Sequence, residues 1–474
     1  MSASVISVAQ MRHWEQASWD AGISQSEVIR RAGEAVAHCA LKLTRAGDRV
    51  LILAGKGHNG DDARCAQSHL IDRNVELLNV NDPAKALAEF EAAARRKPAL
   101  VIDGLFGIGL NRPLDDRWAE LIEAINRANL SVLAVDVPSG LNSDTGEPQN
   151  VALYAHTTVT FGAPKAGMLL ASSYPFVGRL EVVPEIGLTP CPFTGELIWT
   201  AAADFEGFPP FRRVDGHKGS FGHVAVLAGS KGYHGAAVLG ARGALRARPG
   251  LVSVFCDEAV YQPVAGQLQA PMVHPFRPGL TLPETCTALV IGPGLAAQAL
   301  DASWKDFANE QWQHCPLPVI VDASALQWIK PGATALNSRR VITPHPGEAA
   351  RLLGSKSNLV QENRIGTLRE ISSRYGNCWV VLKGHQTLIG RSSGEIFVNS
   401  TGNPFLAQGG SGDVLAGFLG GLLAQPKLQA QPLKTIRYAV WAHGLAADQL
   451  AEQVRTWTIE ELLQVIGDAK DPVR

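Results

Sequence analysis

Apolar residues along the chain fall into short uninterrupted runs separated by polar, helix-patterned segments. The first series of runs is RVLILA (49–54), VELLNV (75–80), ALVID (99–103), SVLAVDV (131–137), TTVTF (157–161) and LEVV (180–183). Segments such as PAKALAEFEAAARRK and DDRWAELIEAINRAN lie between them. Runs that are continuous rather than alternating predict parallel strands buried on both faces, and so a doubly wound α/β sheet. Ahead of them, Val28, Ala32, Val36, Cys39 and Leu43 recur at helical spacing, with Ser24 and Glu27 as a capping box. Residues 192–215 break the rhythm with paired prolines and unpatterned aromatics, and read as a linker. A second strand series follows: HVAVLAG, LVSVFCD, ALVIGPG, PVIVDAS, RVITPHPGE and WVVLKG, before a helical C-terminus. The expected architecture is two α/β domains, 1–205 and 206–474, with no internal repeat.

Composition narrows this picture little. The 474 residues exceed what one core usually holds. With 46% hydrophobic and 18% charged residues the chain is globular, and a net charge of −1 leaves no electrostatic footprint for nucleic acid. Seven scattered cysteines without a C-x-x-C pair read as reduced thiols, not as a disulfide framework or zinc site. No signal segment or long apolar span is visible, so a cytoplasmic protein without membrane contact is expected.

The strongest chemical signal is AQGGSGDVLAGFLGGLLA (407–424), in which Gly409, Gly410, Ser411 and Gly412 lead into a helix near Asp413. Glycines permit close backbone approach, and a helix start presents free N–H groups to an anion. An acid placed there can act as general base on a hydroxyl facing a bound phosphate. Taken alone, such a loop is equally a flexible turn capped by Asp413. KGHQT (383–387) and TPHPGE (343–348) also follow strands, where ligands of open α/β sheets bind. In isolation Lys383 reads as part of a solvated turn and His345 as a satisfied surface histidine. GPG (292–294) adds another backbone-approach loop.

Together with IGPGL, VDASAL, VLKGHQTLI, GNPFLAQGGSGDVLAG and AVWAHGLAAD, these stretches resemble the ribokinase-like superfamily over roughly 217–465. Within it they are most similar to the ADP-dependent NAD(P)H-hydrate dehydratases. The resemblance implies transfer of the terminal phosphate of ADP, with Mg2+, to the hydroxyl of a hydrated nicotinamide ring. Phosphate then leaves, restoring NADH or NADPH and yielding AMP. It implies that Asp413 is the catalytic base and that Gly294 and His345 hold the hydrate. Lys383, Gly384, His385, Gln386, Thr387 and Gly409 to Gly412 would hold the nucleotide. Three positions depart from the family pattern: Ser324 for Asp, Phe405 for Gly and Gln408 for Thr.

In the first half, Asp103, Asp136 and Ser139 stand at strand ends, as does the loop GKGHNGDDARC (55–65). One such loop is an ordinary turn, whereas three on one sheet edge make a site. Oxygen donors at Asn59, Asp103 and Ser139 suit an alkali or alkaline-earth cation. RRAGEAVAHCAL, DGLFGIGLNRPL, DVPSGLNSDTGE and VTFGAPKAGMLL resemble the NAD(P)H-hydrate epimerases. That resemblance implies interconversion of R and S hydrates, with K+ held by Asn59, Asp103 and Ser139. It implies substrate contacts from His58, Asn59, Gly60, Asp61 and Asp62, from Gly107, Ile108, Gly109, Leu110, Asn111, Arg112 and Pro113, and from Asp136. Asp136 is the candidate acid–base group; Lys165 is as well read as a surface lysine. The family loop usually reads G-N-N-G-G-D-G, so His58, Asp61 and Ala63 are departures. If the backbone at 61 were left-handed, Asp61 would be strained.

Both halves in one chain resemble the bacterial bifunctional repair enzymes, in which the epimerase supplies the epimer that the dehydratase accepts. The expected partners are NADHX, NADPHX and ADP, within a homo-oligomer. Two other readings stay open: a second domain working beside a weakened epimerase or mere binding module, and a small-alcohol or vitamin kinase of ribokinase type. A hydride-transferring dinucleotide fold is disfavoured, because no G-x-G-x-x-G enters a helix followed by an acid about 20 residues on.

Overall fold

A computed structural model describes residues 3–334, 339–454 and 456–468. The chain divides into two compact units, one spanning Ala3–Trp199 and the other beginning at Thr200.

In the first unit, β1 (Arg49–Ala54), β2 (Asn74–Asn79), β3 (Leu100–Gly104), β4 (Val132–Val135), β5 (Thr157–Phe161) and β6 (Arg179–Val183) form one sheet. Their order is β2-β1-β3-β4-β5-β6, and every pairing is parallel. Alternate residues of each apolar run serve opposite layers. Val50 and Ile52 pack with Val28, Ala32 and Val36 of helix α2 (Gln25–Leu43). Leu51 and Leu53 pack with Phe90 of α4 (Pro83–Ala94) and Ile122 of α5 (Asp116–Arg127). Both faces are therefore dry, which is why the strands show no polar alternation.

Two local expectations change. Ser24 caps α2 through the amide of Glu27, but the Glu27 carboxylate pairs with Arg30 and Arg31, so the reciprocal half of the capping box is missing. A helix that the apolar pattern did not suggest, α1 (Val8–Asp20), buries Met11, Trp14 and Ser18 and starts at a full Ser7–Gln10 capping box.

In the second unit the strands are β7 (His223–Leu227), β8 (Leu251–Cys256), β9 (Met272–Pro275), β10 (Ala288–Ile291), β11 (Val319–Val321), β12 (Arg340–Ile342), β13 (Trp379–Leu382), β14 (Leu388–Gly390) and β15 (Ile396–Val398). They run in the order β15-β14-β13-β12-β11-β10-β7-β8-β9. Pairing is parallel from β13 through β12 to β9, and antiparallel where β14 meets β13 and β15. Helices α6 (His234–Arg246) and α8 (Ser411–Leu423) pack with almost no side chain between them, because Gly417 faces the Gly240 carbonyl and Gly243 faces that of Val414. The expected linker contains two short regular elements. Leu197–Trp199 is a strand paired with Ala3–Ser4, and Ala202–Phe205 forms a 3-10 turn whose Phe205 meets Tyr438 edge to face and Trp441 at a tilt.

Candidate functional sites

In the first unit the carboxyl ends of β1, β3 and β4 open into a cavity of about 930 Å3. His58, Asn59, Asp62, Gly107 to Pro113 and Asp136 all line it. Gly60 and Asp61 do not. Residues 58–66 form helix α3 (His58–Ala66), with Gly57 as N-cap. Gly60 lies against the backbone, where a Cβ would come 2.1 Å from the Gly55 oxygen. Asp61 points away and pairs with Arg64 at 2.8 Å, while Arg64 also donates to the Gly55 oxygen at 2.6 Å. Asp61 is helical, so the strain considered for a left-handed residue does not arise.

Beneath the cavity, Asp103 is fully buried. Its carboxylate accepts from the Ser139 hydroxyl at 2.6 Å and the Ser139 amide at 2.8 Å. Burial nevertheless pushes its pKa up to about 6. The Phe106 peptide ties in the third donor residue: its N–H donates to Ser139 Oγ at 2.9 Å and its oxygen accepts from Asn59 Nδ2 at 2.9 Å. Asn59 Oδ1 is buried with no partner. A buried orphan oxygen beside a carboxylate and a hydroxyl is a donor set that fits a hard cation.

At the cavity wall Asp136 has φ +60, a strained backbone for a non-glycine residue. Its carboxylate meets Lys165 Nζ at 2.7 Å and Thr160 Oγ1 at 2.9 Å. The surface-lysine reading of Lys165 is thereby corrected: the side chain is 1% exposed and also donates to Thr160 and Phe161. Asp62 has no side-chain partner among the described residues. Burial, then the charges of Asp136, Asp61 and Glu15, push its pKa up to about 8. Glu15, carried by the unexpected α1, lines the same cavity and is raised by burial and by Asp136.

In the second unit, α8 begins at Gly410, whose φ of +98 suits glycine. Asp413 sits in its first turn. Burial, then repulsion by Asp322, push its pKa up to about 7 against the pull of Lys383. Lys383 Nζ meets Asp322 at 2.7 Å and Glu348 at 3.8 Å, and lies 3.4 Å from where a Gly412 side chain would start. Burial lowers the Lys383 pKa, but the surrounding carboxylates outweigh it and the net direction is up. Thr343 donates to the same Asp322 oxygen at 2.7 Å. Lys383 is thus held by a carboxylate at the helix start, not extended in a solvated turn.

His345 is the N-cap of α7 (Pro346–Leu353). Its Nδ1 accepts from the amides of Gly347 at 3.0 Å and Glu348 at 3.3 Å, which leaves Nε2 as the protonated nitrogen. Burial lowers its pKa. Gly294 has φ +65, and a Cβ there would lie 2.6 Å from the Tyr233 oxygen. Within KGHQT, Gly384 has φ +130, burial and Arg364 hold the His385 pKa down to about 4, and Thr387 donates to the Gly384 oxygen at 3.1 Å. Gln386 is buried with both amide atoms unpartnered. Gly409 has open space beside it and Ser411 is buried. Of the departing residues, Gln408 bonds the Phe405 and Trp457 carbonyls at 2.8 and 3.2 Å. Ser324 lies in the turn beyond Asp322 and leaves the Lys383 contact intact. Sequence reasoning missed Asp322, Glu348 and Glu15. Asp322 carried the same signal as Asp103, a lone acid ending an apolar run.

A glycine-opened helix start, an adjoining Lys–Asp pair and a base on the first turn define a phosphoryl-transfer enzyme of the α/β class, here beside a second α/β unit with its own cavity. Comparison with known proteins agrees. A solved ribokinase-like superfamily protein from Enterococcus faecalis is similar with a TM-score of 0.50 and 26% identity, covering 58% of this chain and 96% of that one. Residues 224–467 match the NAD(P)H-hydrate dehydratase family, and residues 25–95 and 77–167 match the YjeF-related protein N-terminus. The bifunctional NAD(P)H-hydrate repair enzyme of Coxiella burnetii is 35% identical, over 94% of each chain. That of Escherichia coli K12 is 32% identical, over 92% of this chain and 87% of its own. The chain belongs to the bifunctional NAD(P)H-hydrate repair enzymes. No helix among the described residues is long and apolar enough to cross a membrane.

Proposed function

We propose that the second unit dehydrates S-NADHX and S-NADPHX with ADP, and that the first unit epimerises the R forms to supply it. Asp413 takes the proton of the ring hydroxyl, whose oxygen accepts the terminal phosphoryl of ADP, releasing AMP. Phosphate then leaves the ring carbon as the neighbouring ring proton is lost, restoring the double bond. The amides of 409 to 412 hold the transferring charge, and Lys383 turns from Asp322 towards the nucleotide phosphates. His345 offers its Nε2 proton to the hydrate beside the Gly294 loop. Mg2+ bound with ADP would supply positive charge to the phosphates.

The observation that carries this reading is the convergence of Asp413, Lys383 and Gly412 around one helix start. A base whose pKa lies near 7 is matched to deprotonating a hydroxyl at neutral pH.

In the first unit, Asp136 is the acid–base group and Lys165 holds its charge in place. Asn59, Asp103 and Ser139 would hold K+, which would supply positive charge at this end of the cavity. The intact α3 and its Asp61–Arg64 pair favour a working epimerase over a weakened one. Seven free cysteines suit a reducing cytoplasm. A homo-oligomer is the expected assembly, and light scattering reads it.

S-NADHX mixed with ADP and Mg2+ regains NADH absorbance, and Asp413→Asn abolishes the gain. Turnover with ATP but not ADP would mean the donor is misassigned. R-NADHX is consumed to completion by the intact chain, and Asp136→Asn leaves it behind while S-NADHX still turns over. Persistence of R-NADHX with the unmodified chain sinks the epimerase assignment.

A further inference from the structure

The second unit holds another cavity, of about 590 Å3, at the opposite end of α8 from Asp413. Its floor is Phe418, Leu422, Leu428 and Tyr438, all buried in the fold. Leu422 is nine residues beyond Asp413, about 14 Å along the helix at 1.5 Å per residue, so this space is separate from the catalytic one.

The wall is basic. Arg246 and Arg248 share Asp468, and Arg213 pairs with Asp215 at 2.6 Å. Arg212 and Lys427, also on the wall, have no carboxylate within ion-pair distance among the described residues. The Arg212 guanidinium instead lies over the Phe221 ring, 4.0 Å from its centroid, with hydrogen bonds to the neutral oxygens of Arg248 and Gln425. Burial and the like charge of Arg248 lower its pKa, as expected for a cation short of anions. At the mouth, Phe211 is 97% exposed, an apolar side chain that nothing in the fold covers.

An apolar floor under unpaired cations is complementary to one kind of molecule. We propose that this cavity is a second ligand site, for an organic anion that joins an apolar body to a single carboxylate or phosphate. The body rests on Leu422, Leu428 and Tyr438, the anionic head meets Arg212 and Lys427, and Phe211 gains cover. The volume suits a ligand of small-metabolite size.

The test is calorimetric titration of the full chain with decanoate, decyl phosphate and decyltrimethylammonium, which share a body and differ in head. At least one of the two anions is expected to bind saturably, tenfold or more tighter than the cation. Their relative affinities tell a carboxylate ligand from a phosphate one. Arg212→Ala should weaken anion binding at least fivefold in a chain that still unfolds cooperatively, and Asp413→Asn should leave it intact. Absence of binding by either anion, which includes a cavity closed by a second copy of the chain, overturns the proposal. So does equal binding of the cation, or loss of anion binding in Asp413→Asn but not in Arg212→Ala.

Discussion

As the base of the proposed reaction, Asp413 has neighbours that disagree about its charge. Burial and Asp322 favour the neutral acid, Lys383 favours the carboxylate, and the balance lies near pH 7. The base is active when deprotonated, so single-turnover dehydration should rise through about pH 7 and level off above it. Replacing Asp322 with Asn removes a like charge and frees Lys383. Both effects lower the Asp413 pKa, so the rising limb should move to lower pH even as ADP binding weakens. A profile that stays in place in Asp322→Asn refutes the coupling. At this scale the sequence was legible where a residue ends a strand or opens a glycine loop, as with Asp103, Asp136 and Asp413. It was not legible for Lys165 or Glu348, whose roles depend on partners 29 residues and 35 residues away in the chain. Nothing about APKAG tells a buried lysine from an exposed one.

Among the elements, the strand runs were readable because burial on both faces keeps them mostly apolar, with few polar residues such as the threonines of TTVTF. Helix α1 was not, because its buried face is one methionine, one tryptophan and one serine among charged and polar residues. It nonetheless brings Glu15 and Met11 to the first cavity. The packing of α6 on α8 was equally hidden, although its glycines are plain in GARGALR and GFLGGLL. What glycine supplies there is room. A Cβ on Gly417 would fall 1.9 Å from the Gly240 oxygen, which is backbone and unable to swing aside. Gly417→Ala should therefore destabilise the second unit by about 3 kcal/mol, the upper end of overpacking penalties, measured by urea denaturation. A loss below about 0.5 kcal/mol would mean the two helices separate freely.

For the whole molecule, each compact unit carries its own site, so ligands should act on them separately. K+ is expected to raise the melting transition of the first unit and ADP with Mg2+ that of the second. Binding at a hundred times Kd adds about 2.7 kcal/mol to the unit that holds the ligand. Asn59→Ala should remove the K+ effect and leave the ADP effect unchanged in calorimetry. A single transition moved equally by both ligands would contradict independent units. The division into two α/β bodies was visible in the two strand series. Its position was not, because 192–215 looks like linker composition yet contributes a strand and an aromatic anchor.

The start of α3 bears on how this protein ages. Asn59 precedes a glycine, the dipeptide in which an asparagine most readily loses its amide, through attack by the next backbone nitrogen. Here the Gly60 N–H is committed to the Gly57 oxygen at 2.8 Å, and the Asn59 amide nitrogen to the Phe106 oxygen at 2.9 Å. The attacking nitrogen is turned into the helix and the leaving group is pinned. The bonds that present Asn59 Oδ1 to a cation therefore also slow deamidation, and an unfolded chain should convert at this position far faster than the folded one.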